Sequence, residues 1–564
     1  ARQCTGHGAA AAERQSGSAA ERQSGAMAGN ATMQAAAAAL AGGELAHVGA
    51  LGCMATFFLV CLLGQMTTYS QTDVGEFARR DPREKPDGTV WRETGGEPVV
   101  SPAEAAVIKK KRDAGEARKF TWDEVKKHNK RDDVWLVVEG KAFDVTSFVE
   151  RHPGGWRPIV AMAGRDSTEV MNEFHPAAVF DKYLPAYYVG DVVDYEVSEI
   201  IKDYRNIRQD LLARGLFRTD KAYYYAKVAW LASILLPTLY GVIACSSTTA
   251  HMISACGMAL FWQQLAFVGH DLGHSAISHS RDIDYFWGGL IGNFLGGIGL
   301  SWWKNSHETH HVTCNSIEMD PDIQHLPFLA ITSKIFNAPF FSTYHLKEFK
   351  TDAFARFFVS FQHYLFYPIM SVARFNLYVQ SWIMLLVRRD EPVPYKLIEI
   401  CSLLGFWLWL GTLMSFLPTW GERLAYFYIS HGLAGILHIQ ITLSHFISET
   451  FNGRSDETWI KHQMMTTTDI TCAHWLDWFH GGLQFQLEHH LFPRLPRHNL
   501  RIARDQIIKL AAKHELPYYE MSFFAANKKL CGILHETAMD ARKLKKGDAG
   551  FYESPIWEGM NARG

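Results

Sequence analysis

His307-Glu-Thr-His310-His311 decides how the rest of this chain is read. It follows Trp302-Trp303-Lys304-Asn305. On a helix, residues three and four apart share a face, so one turn aims three imidazoles at one point. Neutral imidazole is the commonest protein ligand for iron, zinc and copper, and packing alone gives little reason for three on one face. Two further clusters join it: His270-Asp-Leu-Gly-His274, an i, i+4 pair, and Gln486-Leu-Glu-His489-His490. Seven histidines in three clusters, each beside long apolar runs, predict one metal site assembled from distant segments.

The chain has 564 residues, enough for two or more domains. Its net charge is −2, which gives no footing for nucleic acid. Mean hydropathy is near zero because a polar N-terminal part is averaged with a very apolar middle. The nine cysteines are scattered and form no CxxC, which predicts free thiols in a reducing compartment. Cys314 and Cys472 lie near the boxes but rank below the histidines as ligands.

Residues 1–45 are Ala-rich, and Ala-Ala-Glu-Arg-Gln-Ser-Gly begins at both 11 and 19, so no packed core is expected there. Met27 offers a start that would make the repeat an artefact of the reading frame. The apolar run 48–64 is at the short limit for a membrane span and reads as a signal anchor, an extra span or part of a targeting segment. Residues 65–117 are polar and Pro-punctuated, a linker. Ser101-Pro-Ala-Glu104 opens a short charged helix whose Lys109–Arg112 run reads as a solvated face.

Residues 118–195 predict a small α/β domain: strands at Val134–Val138 and Ala142–Val145, a turn at Gly140-Lys141, then His152-Pro-Gly-Gly155 and Phe174-His175-Pro176. Two histidines on separate helices or turns can take the two axial positions of a haem. Trp135-Leu-Val-Val, Phe143-Asp-Val-Thr, His152-Pro-Gly-Gly and Tyr188-Val-Gly-Asp191 resemble cytochrome b5 domains. The resemblance implies that His152 and His175 ligate haem b. Asp166, Glu169, Glu173 and Asp181 surround the expected haem edge, as a face for a basic reductase or as plain solvated helix faces.

Spans are expected at Ala226–Ser246, His251–Gly269, Leu397–Leu417 and Leu424–Ile447. Tyr285–Leu300 and the Pro368-interrupted helix 354–388 read as interfacial or re-entrant. Two crossings before the first box and two before the third put all boxes on the side of the haem domain. His431, His438 and His445 lie seven apart, close to two turns, and so share one face of the last span; successive members are about 10 Å apart and cannot share one metal. His445, at the box end, is the eighth ligand candidate. His431 and His438 read as packing residues, and His480 stays ambiguous. Helices are expected at about 498–514 and 523–546, with Lys543–Lys546 as a solvated terminus.

The stretches Gly269–His274, Trp302–His311, Asp320-Pro-Asp-Ile-Gln-His325 and Trp478–Pro493 resemble the membrane fatty-acyl desaturases, closely the front-end group with a fused N-terminal cytochrome b5. The resemblance covers most of 118–545. It implies two non-haem irons held by His270, His274, His307, His310, His311, His489 and His490. Gln486 stands where related desaturases carry His, as a weak ligand or an outer group, and is the catalytic candidate beyond the histidines. Asp271, Glu308 and Glu488 are expected to orient imidazole N–H groups.

The expected architecture is therefore multidomain, a small α+β cytochrome b5-like domain and an all-α multi-pass membrane desaturase domain with a cytosolic histidine-box cap. The boundaries are 1–117, 118–197, 198–546 and a tail at 547–564. The expected function is a front-end desaturase that uses O₂ and electrons from NADH through cytochrome b5 reductase. Its substrate would be a lipid-linked or CoA-linked acyl chain in the endoplasmic reticulum membrane, or alternatively a chloroplast membrane. A sphingolipid Δ8 desaturase is the second reading; a lipid hydroxylase and a non-catalytic haem carrier follow. His480, Asn499 and Gly421-Glu422 lean to Δ6-like acyl enzymes; Leu487, Arg494 and Leu495 lean to the sphingolipid group.

Overall fold

A computed structural model of the chain describes residues 102–562 apart from 116 and 389–390. The Ala-rich repeat, the apolar run 48–64 and most of the linker lie outside the described residues.

The run Val134-Trp-Leu-Val-Val138 suits pleated backbone and becomes β3 (Asp133–Val138), which pairs antiparallel with β4 (Lys141–Asp144). The two-residue turn Glu139-Gly140 has φ 52° and 74°, the left-handed pair that matches strand twist. With β1 (Arg118–Phe120), β2 (Asn129–Lys130), β5 (Arg165–Asp166) and β6 (Tyr188–Val192) the sheet order is β1-β6-β4-β3-β2, β5 lying beside β3. Alternation splits β3 between two cores. Leu136 and Val138 pack toward Phe143, Val149 and Met171, while Val137 packs with Phe120, Val125 and Val192 on the other face.

The segment ahead of 118 also packs on this domain. Helix α1 (Pro102–Asp113) lies on this domain: Ile108 is buried in its core, Lys111 donates to the Ala186 and Tyr188 carbonyls at 2.9 and 2.8 Å, and Arg112 pairs with Asp191. Half of the basic run is thus used in capping the sheet domain, where charge alone suggested a solvated face. At the other end, the tail is packed too. Glu558 is fully buried and accepts from the backbone N–H of Lys350 at 2.7 Å and the Lys347 ammonium at 3.0 Å.

Two helices lead out of the sheet domain to the site: α2 (Trp156–Ala161) and α3 (Thr168–Phe174), after which α4 (Glu199–Ala213) crosses to the membrane part. There α5 (Lys221–Ile243) and α6 (Thr248–Gly273) form one hairpin. The first box lies at the end of α6, and the second on α7 (Leu300–Thr313). After α8 (Gln362–Leu386), α9 (Lys396–Ser415) leads to the broken rod α10 (Trp420–Ala434) and α11 (Ile436–Phe446). At the break, a Cβ on Gly435 would lie 2.5 Å from the Met370 carbonyl, so only glycine lets α8 come this close. At the end remote from the boxes, His251 of α6 and Glu422 of α10 meet at 2.5 Å.

Among the described residues five helices are long and apolar enough to cross a membrane, α8 included. Three crossings between the second and third boxes would leave them on opposite faces. Both ends of α8 return to the box side: Gln362 bonds Ala330 and the Leu534 carbonyl, and just beyond its other end Glu391 pairs with Arg157 of the sheet domain. An unbroken helix with both ends there lies along that side and does not cross, and four candidate spans remain.

Candidate metal centre and haem pocket

The turn of α7 does not aim its three rings at one point but divides them between two groups, and the fold brings the other boxes to it. His270, His274, His307 and His489 form one group whose ligand atoms all lie within 4.8 Å of one another. His310, His445, His490 and Cys314 form a second group within the same limit. His311 sits between them: its Nε2 is 3.1 Å from those of His307 and His489, and its ring stacks on His490 at 4.1 Å. All seven box histidines and His445 are thus gathered, as are two residues that sequence ranked lower. Cys314 Sγ is 3.3 Å from His445 Nδ1, and the amide nitrogen of Gln486 is 3.1 Å from His445 Nε2. Among the described residues His431, His438 and His480 belong to neither group. His431 bonds the Phe427 carbonyl at 2.8 Å and packs on Trp262 and Phe375.

Hydrogen bonds fix the tautomers in the second group. Asp320 already accepts from the backbone N–H groups of Asn315 and Asp322, so at 2.9 Å His310 Nδ1 is its donor. Gln463 donates to the His311 carbonyl at 2.9 Å, which turns its oxygen to accept from His490 Nδ1 at 2.8 Å. His445 Nδ1 faces the Thr466 carbonyl at 3.3 Å. Each neutral ring then has only a lone pair on Nε2. The Nε2 atoms of His310 and His445 face each other at 3.3 Å, two acceptors with no proton between them. Charging His310 would relieve that pair: burial opposes it, but Asp320 and Asp322 win and push its pKa up to about 9. A proton there does nothing for the Nε2 atoms of His270, His274 and His490, which are buried without a protein partner. Cations in both groups would satisfy all of them, so the donor set fits metal. Burial and mutual repulsion also hold His274, His307, His311, His489 and His490 well below the usual imidazole range, which keeps them neutral and able to ligate.

The acids expected to orient the rings are placed otherwise. Asp271 pairs with Arg497 at 2.5 Å and accepts from Tyr224 at 2.6 Å, while His270 is 3.7 Å away. Glu488 shares Tyr518 with Asp469. Glu308 pairs with Lys304 at 2.7 Å and faces the haem domain. The orienting work falls to Asp320 and Gln463. Asp320 sits in a quoted motif, but Gln463 carried no local signal.

In the sheet domain, His152 Nδ1 bonds the Gly155 carbonyl at 2.7 Å and His175 Nδ1 the Met171 carbonyl at 3.3 Å, leaving both Nε2 atoms to face inward. The rings are 5.9 Å apart at the wall of a cavity of about 620 Å³ that Leu136, Val145, Phe148 and Met171 also line. This apolar slot between two imidazoles fits a haem. The same cavity reaches His274, Lys304 and Glu308. A Cβ on Gly154 would lie 3.0 Å from Glu308 Oε2, so a glycine lets the box helix close over the haem loop.

A haem-type domain closed over a histidine-rich metal centre, on a bundle of apolar helices, defines a membrane redox enzyme with its electron carrier built in. Residues 246–522 match the fatty acid desaturase family, and 121–193 match the cytochrome b5-like heme/steroid binding domain. An acyl-lipid (9-3)-desaturase of Borago officinalis is 40% identical over 456 residues, 80% of this chain and 100% of that one. A delta(8)-fatty-acid desaturase of Helianthus annuus is 40% identical over 79% of this chain and 96% of its own. A delta 8-(E)-sphingolipid desaturase of Emericella nidulans is 38% identical over 62% of this chain and 64% of its own. The chain belongs to the fatty acid desaturase family: it is a membrane oxidoreductase, with haem in its first domain and iron in its second.

Proposed function

We propose that this chain inserts a double bond near the carboxyl end of an acyl chain, with haem b between His152 and His175. One iron would be held by His270, His274, His307 and His489 and the other by His310, His445 and His490. His311 lies between them, and Cys314 and Gln486 are adjacent. The observation that carries this reading is the pair of buried histidine clusters, the first of which the haem cavity reaches at His274. Each turnover consumes O₂, two electrons and two protons and leaves one C=C bond and two waters; when bound, the haem carries electrons singly and the irons activate O₂ to remove hydrogen from unactivated carbon. The chain's own part is placement. Asp320, Gln463 and Thr466 hold three rings in the ligating tautomer. Electrons would come from NADH through cytochrome b5 reductase, in the endoplasmic reticulum with both sites on the cytosolic face.

A front-end enzyme counts from the head group, so bond position would depend on how far from the metal that head is held. The residues that lean toward one substrate class or the other are largely engaged elsewhere: Glu422 with His251, Asn499 with the Leu216 carbonyl, Arg494 at the haem cavity wall. A sphingoid base at Δ8 is therefore the second reading, favoured by the fungal relative. Yeast expressing the protein and fed acyl chains of different length decides it, with the bond located by mass spectrometry. A bond counted from the methyl end, or on its side of a pre-existing bond, would sink the front-end assignment. A bond only in long-chain bases selects the second reading.

A further inference from the structure

Two of the four acids that sequence set around the haem edge are taken up inside the chain. Glu169 pairs with Arg205 at 2.7 Å and Glu173 with Arg208 at 2.6 Å, both from α4 of the same chain. Tyr204, on the same helix, lies 3.0 Å from Glu173 and donates at 2.7 Å to the carbonyl of Leu491, next to His490. Its ring stacks on Phe492 with centroids 5.3 Å apart. Helix α3 is thus bound on one side to α4 and through Tyr204 to the third box. Between Glu173 and His175 stands Phe174, whose ring meets His311 edge-on, centroids 5.9 Å apart and planes at 73°. Phe174 is therefore bonded to one histidine of the haem pocket and packed on the histidine that lies between the two metal groups.

We propose that Phe174 is the contact through which an electron leaves the haem domain for the metal centre of its own chain, and that this domain works docked. The inference rests on the haem and iron assignment above. The step is a single electron transfer: haem iron goes from ferrous to ferric, one non-haem iron is reduced by one electron, and no bond is made or broken. Electronic coupling falls steeply across open space and less steeply through bonded and packed atoms. The chain His175–Phe174–His311 is such a bonded and packed path, and an approach from the haem edge to His274 is the alternative that the test separates from it.

The test uses the full-length, iron-loaded haem protein in detergent and three variants: Phe174→Leu, Phe174→Met and Phe174→Tyr. A laser flash on added deazaflavin, with EDTA as sacrificial electron donor, reduces the haem under argon, and its reoxidation by the oxidised metal centre is followed in the Soret band. Haem and non-haem iron contents are measured on each sample. Leu and Met are expected to keep both contents and slow reoxidation several-fold, and Tyr to restore most of the rate; should one variant lose haem, the others decide. Wild-type rates in the aliphatic variants would overturn the route and point to the His274 approach. Rates in the unmodified protein that fall with solvent viscosity would overturn the docked arrangement. An unmodified protein without non-haem iron would overturn the assignment beneath the route, a result visible before any variant is compared.

Discussion

Arg157 of the haem domain and Glu391, just past α8, form an ion pair buried to 3% and 1% exposure. Arg157 also donates to the Thr343 and Tyr344 carbonyls, and Glu391 accepts from Asn305 of the box helix at 3.1 Å. One pair thus joins the haem domain, the box helix and the segment that follows α8. Glu391→Leu leaves a buried guanidinium charge unpaired, at a cost of about 3–5 kcal/mol. The Arg157→Met, Glu391→Leu double variant should recover much of that loss. Thermal unfolding and protease release of the haem domain measure it; equal losses in single and double variants would remove the pair from the docking account.

His152→Ala and His175→Ala should each lose haem and with it desaturation, because each removes one wall of the cavity between the two rings. The visible spectrum of the full chain reads this directly. Normal haem in either variant would contradict the pocket.

The row of histidines spaced by seven separates sharply. His445→Ala should abolish turnover with the haem spectrum intact, as should Ala at any of the seven box positions, because His445 Nε2 faces His310 Nε2. His431→Ala removes packing against Trp262, Phe375 and Phe427 and one hydrogen bond to a carbonyl of its own helix, and should be mild. Lipid analysis of yeast expressing each variant checks it, and the reverse order would mean that the wrong end of the row serves the site.

Acid should destabilise the protein through histidines outside the metal groups. Burial first, then Arg494, lowers the pKa of His279 to about 4; burial, then Arg165, does the same to His462. An unfolded imidazole titrates near 6.5. Below about 6.5 the unfolded chain takes up protons that these buried rings refuse, so stability present above that pH is lost as pH falls toward about 4. Melting temperatures taken from pH 7.5 to 5 should fall steadily below 6.5. A flat profile would show that these rings are not held neutral by the fold.

Sequence by itself carried whatever depends on local period. The β3–β4 hairpin follows from alternation and from Glu139-Gly140; the three imidazoles of α7 follow from i, i+3, i+4 spacing. Length and apolarity alone admit five spans among the described residues, α8 included; the contacts at its two ends are what set α8 apart. What only the tertiary structure decided is which distant groups complete the site. His310 and His445 are 135 positions apart, Cys314 and His445 131, and His490 and Gln463 27, and no periodicity links them. Asp271, Glu308 and Glu488 lie next to box histidines in sequence, yet turn to Arg497, Lys304 and Tyr518. Glu169, Glu173 and half of the basic linker helix were composition in the sequence and became buried pairs and caps in the fold. A charge shows in a sequence, but its partner is set by which elements pack against it.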